Sequence, residues 1–379
     1  MRTRRPRWVT ACAAGALSVL LASTPAVADS TRNRQWHLST LDVGAAHRIS
    51  TGEGVTVAVI DTGVNAKHPD LAGTVLPGID LTGEGGDGRT DTDGHGTAMA
   101  GLIAAHGHGQ GGADGALGIA PGAKILPIRD SPGKNANPTT FVKGIGLAVD
   151  RGAKVISISA GTGTFAALKQ AIADAVAHDV VVVAAVGNRP DDIAVGYPAR
   201  YPGVLAVGAT GRNGNLAKVS VTGPEVMLTA PGVDIISTDR AGGYRIGTGT
   251  SDSTAIVAGA AALIRSRYPD ATADEVIHRI TATATDKGAP GRDTQYGYGA
   301  LNLVSALTTV NVPAADTPSA SASPLVPAPT APTTAAPIDA SGPVFRFTTA
   351  FYVAIGVVVL LVVLAGVLLI WLLMRRRRH

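Results

Sequence analysis

Three residues that could jointly hydrolyse an amide stand far apart in this sequence. Asp61 follows the apolar run Val55 to Ile60 and precedes Thr62-Gly63. His95 lies within Asp93-Gly94-His95-Gly96-Thr97, ahead of the small-residue stretch MAGLIAA. Ser251 closes Gly247-Thr248-Gly249-Thr250-Ser251 and leads into the nearly uncharged AIVAGAAALI. A serine hydroxyl is a poor nucleophile until a base takes its proton, and an imidazole can be that base and later protonate a leaving amine. A carboxylate behind the imidazole would hold its tautomer and stabilise the imidazolium. Each residue alone also has a plainer reading: a turn or helix cap for Asp61, a structural role for His95, an N-cap for Ser251.

The elements that must carry these residues follow from hydrophobic patterning. Short β-branched runs predict strands over Val55 to Ile60, Lys124 to Ile128, Val155 to Ser159, Val180 to Ala184 and Val204 to Val207. Helical patterns cover His95 to Ala105, Thr139 to Asp150, Phe165 to His178, Thr250 to Tyr268 and Ala273 to Ala282. Nearly continuous apolar strands alternating with helices predict an α/β domain, its sheet parallel and covered on both faces. In such sheets chemistry gathers beyond the carboxyl ends of the strands, which is where Asp61 stands.

Asp, His and Ser in that chain order on a parallel α/β sheet resemble the arrangement of the subtilisin-like serine proteases. The signature segments are similar too: VAVIDTGV around Asp61, HPDL at His68 to Leu71, DGHGTAMAG around His95 and GTSDSTAIVAG around Ser251. The similarity runs from about Gly54 to Leu307. It implies a three-layer subtilisin-like fold with a mainly parallel sheet, and a triad of Asp61, His95 and Ser251. It implies further that AAVGN, ending at Asn188, supplies an oxyanion donor beside the Ser251 backbone N–H. Ser159-Ala160-Gly161 and Ala184 to Gly187 would then flank an extended substrate backbone that pairs as an added strand.

The rest of the 379 residues sets the context. A basic start (Arg2 to Arg7), an apolar stretch from Trp8 and the ending Ala26-Val27-Ala28 predict a cleaved secretory signal over 1–28. Residues 29–312 are then the peptidase domain, and the Pro/Ala/Thr-rich 313–343 a stalk. Residues 350–374, without a charge, are long enough to span a bilayer, and the Arg-rich 375–379 is expected to stay cytoplasmic. The expected location is therefore the cell membrane, single-pass, with the peptidase domain outside. Eight of the 32 basic residues lie at the two ends, which leaves 24 against 28 acidic ones and argues against a nucleic-acid partner. Cys12, the one cysteine, falls in the signal, so neither a disulfide framework nor a cysteine zinc site is expected.

Asp80, Asp87, Asp91 and Asp93 in a Gly-rich loop offer the oxygen ligands calcium takes, yet their spacing fits no EF-hand, and a solvated loop is favoured. His106 and His108 lack an evident third ligand. No metal and no cofactor are assigned. The stalk, single span and basic tail together resemble the mycosins, the membrane-anchored proteases of type VII secretion systems in actinobacteria. That resemblance implies a protein or peptide substrate and a type VII secretion membrane complex as partner. A subtilase-shaped scaffold of that complex and a general degradative protease are the alternatives. The two dozen or so residues before Gly54 are too few for a separate prodomain, and are expected to drape over the body. Asp252, Ser253 and Ala255 depart from the family's usual GTSxAxP, and a carboxylate at Asp252 is expected to slow the chemistry by repelling the oxyanion.

Overall fold

Strand β1 (Thr56–Asp61) shows why this chain builds a sheet with two covered faces. Val57 and Val59 enter one core, Ala58 and Ile60 the other, all at most 2% exposed. Side chains alternate across a strand, so a run apolar at every position has no face to give to water.

The structure is a computed structural model that describes residues 30–133 and 137–312. The signal (1–28), stalk (313–343), apolar 350–374 stretch and basic tail lie outside the described residues. Among the described residues no helix is long and apolar enough to cross a membrane.

In chain order, three short helices come first: α1 (Ser30–Arg34), α2 (Trp36–Thr40) and α3 (Val43–His47). After β1 come β2 (Ile79–Asp80), α4 (His95–Ala104), the antiparallel pair β3 (His106–His108) and β4 (Asp114–Leu117), and β5 (Lys124–Arg129). Then follow α5 (Pro138–Asp150), β6 (Val155–Ile158), α6 (Ala166–Ala177), β7 (Val181–Ala185), β8 (Val204–Thr210) and β9 (Leu228–Pro231). The hairpin β10 (Ile235–Thr238) and β11 (Tyr244–Gly247) precedes α7 (Thr250–Arg267), α8 (Ala273–Ala282) and α9 (Leu303–Thr308).

Seven strands form one sheet in the order β2-β5-β1-β6-β7-β8-β9, and every pairing in it is parallel. One core joins α4, α7, α8 and α9 to one face, and the other joins α5 and α6 to the opposite face. The expected three-layer α/β arrangement is therefore what the chain adopts. Helix α7 is buried almost all round, so its stripe of alanine and glycine is a packing requirement. A Cβ on Gly259 would come within 2.6 Å of Ile119 Cβ.

The N-terminal segment is anchored to the body, as expected for so short a stretch. Arg32 Nη2 donates to the carbonyls of Gly112 (2.8 Å) and Asp114 (3.1 Å), and Trp36 Nε1 to that of Val233 (3.0 Å). Gln35 Nε2 donates to Leu117 O (3.1 Å) and Ile236 O (3.2 Å), which ties this segment to both hairpins.

Candidate active site

The parallel sheet brings the separated motifs to one edge. Asp61 is the last residue of β1, His95 the first of α4, and Ser251 the second of α7. His95 Nδ1 lies 2.8 Å from Asp61 Oδ1 and 2.9 Å from Oδ2, and the Thr62 N–H donates to Oδ1 at 2.8 Å. The carboxylate is 5% exposed and the imidazole 23%. The His95 edge bearing Nε2 is thus left for a substrate proton, while Nδ1 is committed. Gly96 is required here: a Cβ on it would meet Gly63 O and crowd Asp61, pushing α4 off the strand end.

Ser251 Oγ donates to Ser159 O at 3.3 Å, and Ser159 Oγ donates to Ser251 O at the same distance. The hydroxyl is thereby held to the carbonyl at the end of β6, and no hydrogen bond to His95 is seen among the described residues. Such nucleophile–base contacts commonly tighten only with substrate bound. Asn188 follows β7, and its Oδ1 accepts from the Thr250 N–H at 2.9 Å and the Thr250 hydroxyl at 3.3 Å. Ala160 and Gly187 are half-buried and Gly161 exposed, with nothing within 4 Å of a Cβ built on Gly161. This rim is open enough to admit an extended chain. The 610 Å³ concavity lined by Arg267, Tyr268 and Arg279 lies at the far end of α7, about 24 Å along the helix from Ser251.

Residues 52–299 match the subtilase family, Peptidase_S8. This chain belongs to the subtilases. It is a serine endopeptidase by that membership. Subtilisin DY of Bacillus licheniformis is 40% identical over 261 residues, covering 67% of this chain and 91% of the relative. Among solved structures, MycP1 from Mycobacterium smegmatis is similar at 31% identity and TM-score 0.63, covering 74% of this chain and 86% of that one. The MycP3 protease from the type VII (ESX-3) secretion system is similar at 34% identity and TM-score 0.63, covering 76% and 90%.

Electrostatics at this subtilase site are set by three carboxyls. Burial alone would push the His95 imidazole down, but the charge and hydrogen bond of Asp61, reinforced by Asp252 and opposed by Arg245, hold it up at about 9. Asp130, 4% exposed after β5, is lifted to about 7 by burial and by the neighbouring Asp61 charge. Asp252 is lifted to about 6 by burial, against the pull of His95 and Arg245. Its carboxyl is turned to β11, where a Cβ on Gly247 would come within 2.6 Å of Oδ1, and it acts on His95.

Asp91, read from the sequence only as one of a loop of acidic residues, braces the site. Its Oδ1 accepts from Thr62 Oγ1 (2.9 Å) and from the N–H groups of Asp93 (3.0 Å) and Gly94 (2.8 Å). Its Oδ2 accepts from the N–H (2.9 Å) and hydroxyl (2.6 Å) of Thr97. Thr62 Oγ1 in turn accepts from the Gly96 N–H at 3.0 Å, so the residues beside Asp61 and His95 share one network. The DxDGHGT spacing, which places a carboxylate ahead of free helix N–H groups, is the signal that could have found it. The other acidic residues are engaged separately: Asp80 with Arg129 (2.8 Å), Asp87 with Arg89 (2.6 Å), and Asp93 with the His95 N–H (3.2 Å). His108 Nδ1 is 2.5 Å from the buried Asp70 carboxylate, and His106 Nε2 is 3.0 Å from Ala72 O. Among the described residues no group of three or more His, Cys, Asp or Glu could hold a metal ion.

Proposed function

We propose that this chain is a membrane-tethered extracellular endopeptidase that processes proteins exported by a type VII secretion system. In this reading Ser251 Oγ attacks the scissile carbonyl while His95 Nε2 takes the hydroxyl proton, and Asp61 holds the imidazole through Nδ1. The tetrahedral oxyanion is met by the Ser251 N–H and Asn188 Nδ2. Collapse expels the amine as His95 returns the proton to it, leaving an acyl-Ser251 that water hydrolyses by the same base. The substrate backbone lies along Ser159 to Gly161 on one side and Gly187 on the other. The observation that carries the reading is the pairing of both Asp61 oxygens with His95 Nδ1, beside a serine at the head of a buried helix.

Tethering rests on the sequence alone: signal 1–28, peptidase domain 29–312, stalk 313–343, apolar span 350–374 and basic tail 375–379. The secretion role rests on similarity to MycP1 and MycP3, the latter from a type VII system. No metal or cofactor enters these steps. A second reading, a scaffold whose presence matters more than its cleavage, draws support from Asp252, which helps keep His95 protonated at neutral pH. Comparing the secreted proteome of a deletion strain with that of a Ser251→Ala strain separates the two. Loss of the same processed fragments in both, with export itself intact in Ser251→Ala, supports processing. Normal processing in Ser251→Ala contradicts it.

A further inference from the structure

The chain from β2 to His95 must deliver an imidazole to a fixed place, yet Leu81 to Asp93 is a loop in which Gly83, Gly85, Gly86 and Gly88 all take positive φ. A segment with that much conformational freedom does not place a side chain by itself. Besides the network of Asp91, one buried cation holds this loop. Arg129, the last residue of β5, is 2% exposed, and its Nη1 lies 2.8 Å from both Asp80 Oδ2 and Glu84 Oε2. Its Nη2 donates to Thr92 Oγ1 at 3.0 Å. The guanidinium thus grips the loop where it leaves the sheet and again three residues before His95.

Strand register puts this guanidinium beside the site. Asp61 of β1 and Asp80 of β2 both pair with Arg129, and residues paired in register face the same side of a sheet. The stem of Arg129 passes the segment that follows Asp61, where a Cβ on Gly63 would come within 3.2 Å of Arg129 Cδ. Thr92 is exposed, but its hydroxyl makes two bonds, accepting from Arg129 and donating to Pro132 O at 3.3 Å. It stands between Asp91 and Asp93, whose carboxylates receive the N–H groups of Gly94 (2.8 Å) and His95 (3.2 Å). A displacement of Thr92 is therefore passed to both carboxylates at the head of α4, and through them to His95. Charge is not the route: Arg129 is matched by Asp80 and Glu84, and the charges that act on His95 are those of Asp61, Asp252 and Arg245.

We propose that Thr92 is a positioning residue for His95, hooked by its hydroxyl to the buried Arg129. Thr92 touches neither the substrate nor the reacting atoms in this role; it fixes the loop from which the base enters α4. The proposal rests on the assignment of His95 and Ser251 made above.

Steady-state kinetics and fluorophosphonate labelling of the full-length chain test it. Thr92→Val, of the same shape and at an exposed position, should lower kcat and the labelling rate by the same factor, about tenfold, with KM and the thermal midpoint unchanged. Thr92→Ser, which keeps the hydroxyl, should restore both rates. In Arg129→Lys, where one ammonium cannot serve Asp80 and Thr92 together, Thr92→Val should cause little further loss. If Arg129→Lys does not fold, the two Thr92 variants decide alone. A wild-type kcat in Thr92→Val, a loss carried by KM, a loss that follows a lowered midpoint, or a loss that serine does not restore overturns the proposal. Full additivity of the Thr92 and Arg129 substitutions does so too. If the unaltered chain takes up no fluorophosphonate at Ser251, the underlying assignment fails and the proposal with it, a result distinct from a labelled chain that Thr92→Val leaves unchanged.

Discussion

Thr250 gives its backbone N–H to Oδ1 of Asn188 at 2.9 Å, and its hydroxyl is shared between that oxygen and Gly187 O, each at 3.3 Å. The residue before the proposed nucleophile thus orients the proposed oxyanion donor. An amide whose oxygen is committed in this way must present its nitrogen on the other side. Asn188→Ala is expected to lower kcat by about 10²- to 10³-fold with KM little changed, as loss of the corresponding donor does in subtilisin. Thr250→Val, which keeps the N–H and loses the hydroxyl, should cost roughly three- to tenfold in kcat, and Thr250→Ser should restore it. Steady-state kinetics on one peptide substrate measure all three.

Because His95 is held at about 9, the base is largely protonated at pH 7, and kcat/KM should rise with pH until the imidazole is neutral. Removing the Asp252 charge takes away one of the contributions holding it up. Asp252→Asn should therefore move the acid limb of the profile to lower pH and raise kcat/KM at pH 7 by about three- to tenfold, on a substrate uncharged after the scissile bond. Arg245→Gln should move the limb the opposite way. Both shifts should shrink in high salt. A limb that stays in place in Asp252→Asn would show that the two groups are not coupled.

Two buried groups give the folded state opposite pH sensitivities. Asp130, at about 7 in the fold against an ordinary 3.8, binds its proton more tightly folded than unfolded. The stability that this proton confers is complete below pH 3.8 and is lost as pH rises to about 7, at about 1.4 kcal/mol per pH unit. Asp130→Asn should raise the thermal midpoint by several degrees at pH 8 and by little at pH 4. His37 is fully buried, neither ring nitrogen has a partner among the described residues, and burial pushes it down to about 3. Its titration contributes nothing above pH 6.5 and destabilises progressively as pH falls from there toward 3. His37→Leu should flatten that acid loss. Midpoints measured from pH 4 to 9 for the two variants check both signs.

Much of this was legible before any coordinates, and the reasons are physical. The five predicted strands of the central sheet and the five long helices are buried on wide apolar faces, and the structure places them within a residue or three of the expected bounds. The edge strand β9 escaped because it is four residues long and ends in Pro231, which an edge tolerates. Hairpin β10–β11 escaped because each of its strands is only four residues long, and the apolar Ile246 of β11 is exposed. The residues gathered at the site were legible because motif spacing and a parallel sheet together send them to one end. Asp91 and Asp252 were seen as charges; Asp91's bonds to Gly94 and Thr97 follow the DxDGHGT spacing, but its bond to Thr62, 29 residues away, and the packing of the Asp252 carboxyl into the space left by Gly247 depend on how the strands and helices come together.

The account stands or falls on Ser251 as a nucleophile activated by His95. Intact-mass measurement of the protein after treatment with a fluorophosphonate tests this directly. One adduct is expected, mapped to Ser251 by peptide analysis, absent in Ser251→Ala and slowed by several orders of magnitude in His95→Ala. Labelling that continues undiminished in Ser251→Ala, or at the wild-type rate in His95→Ala, would contradict it.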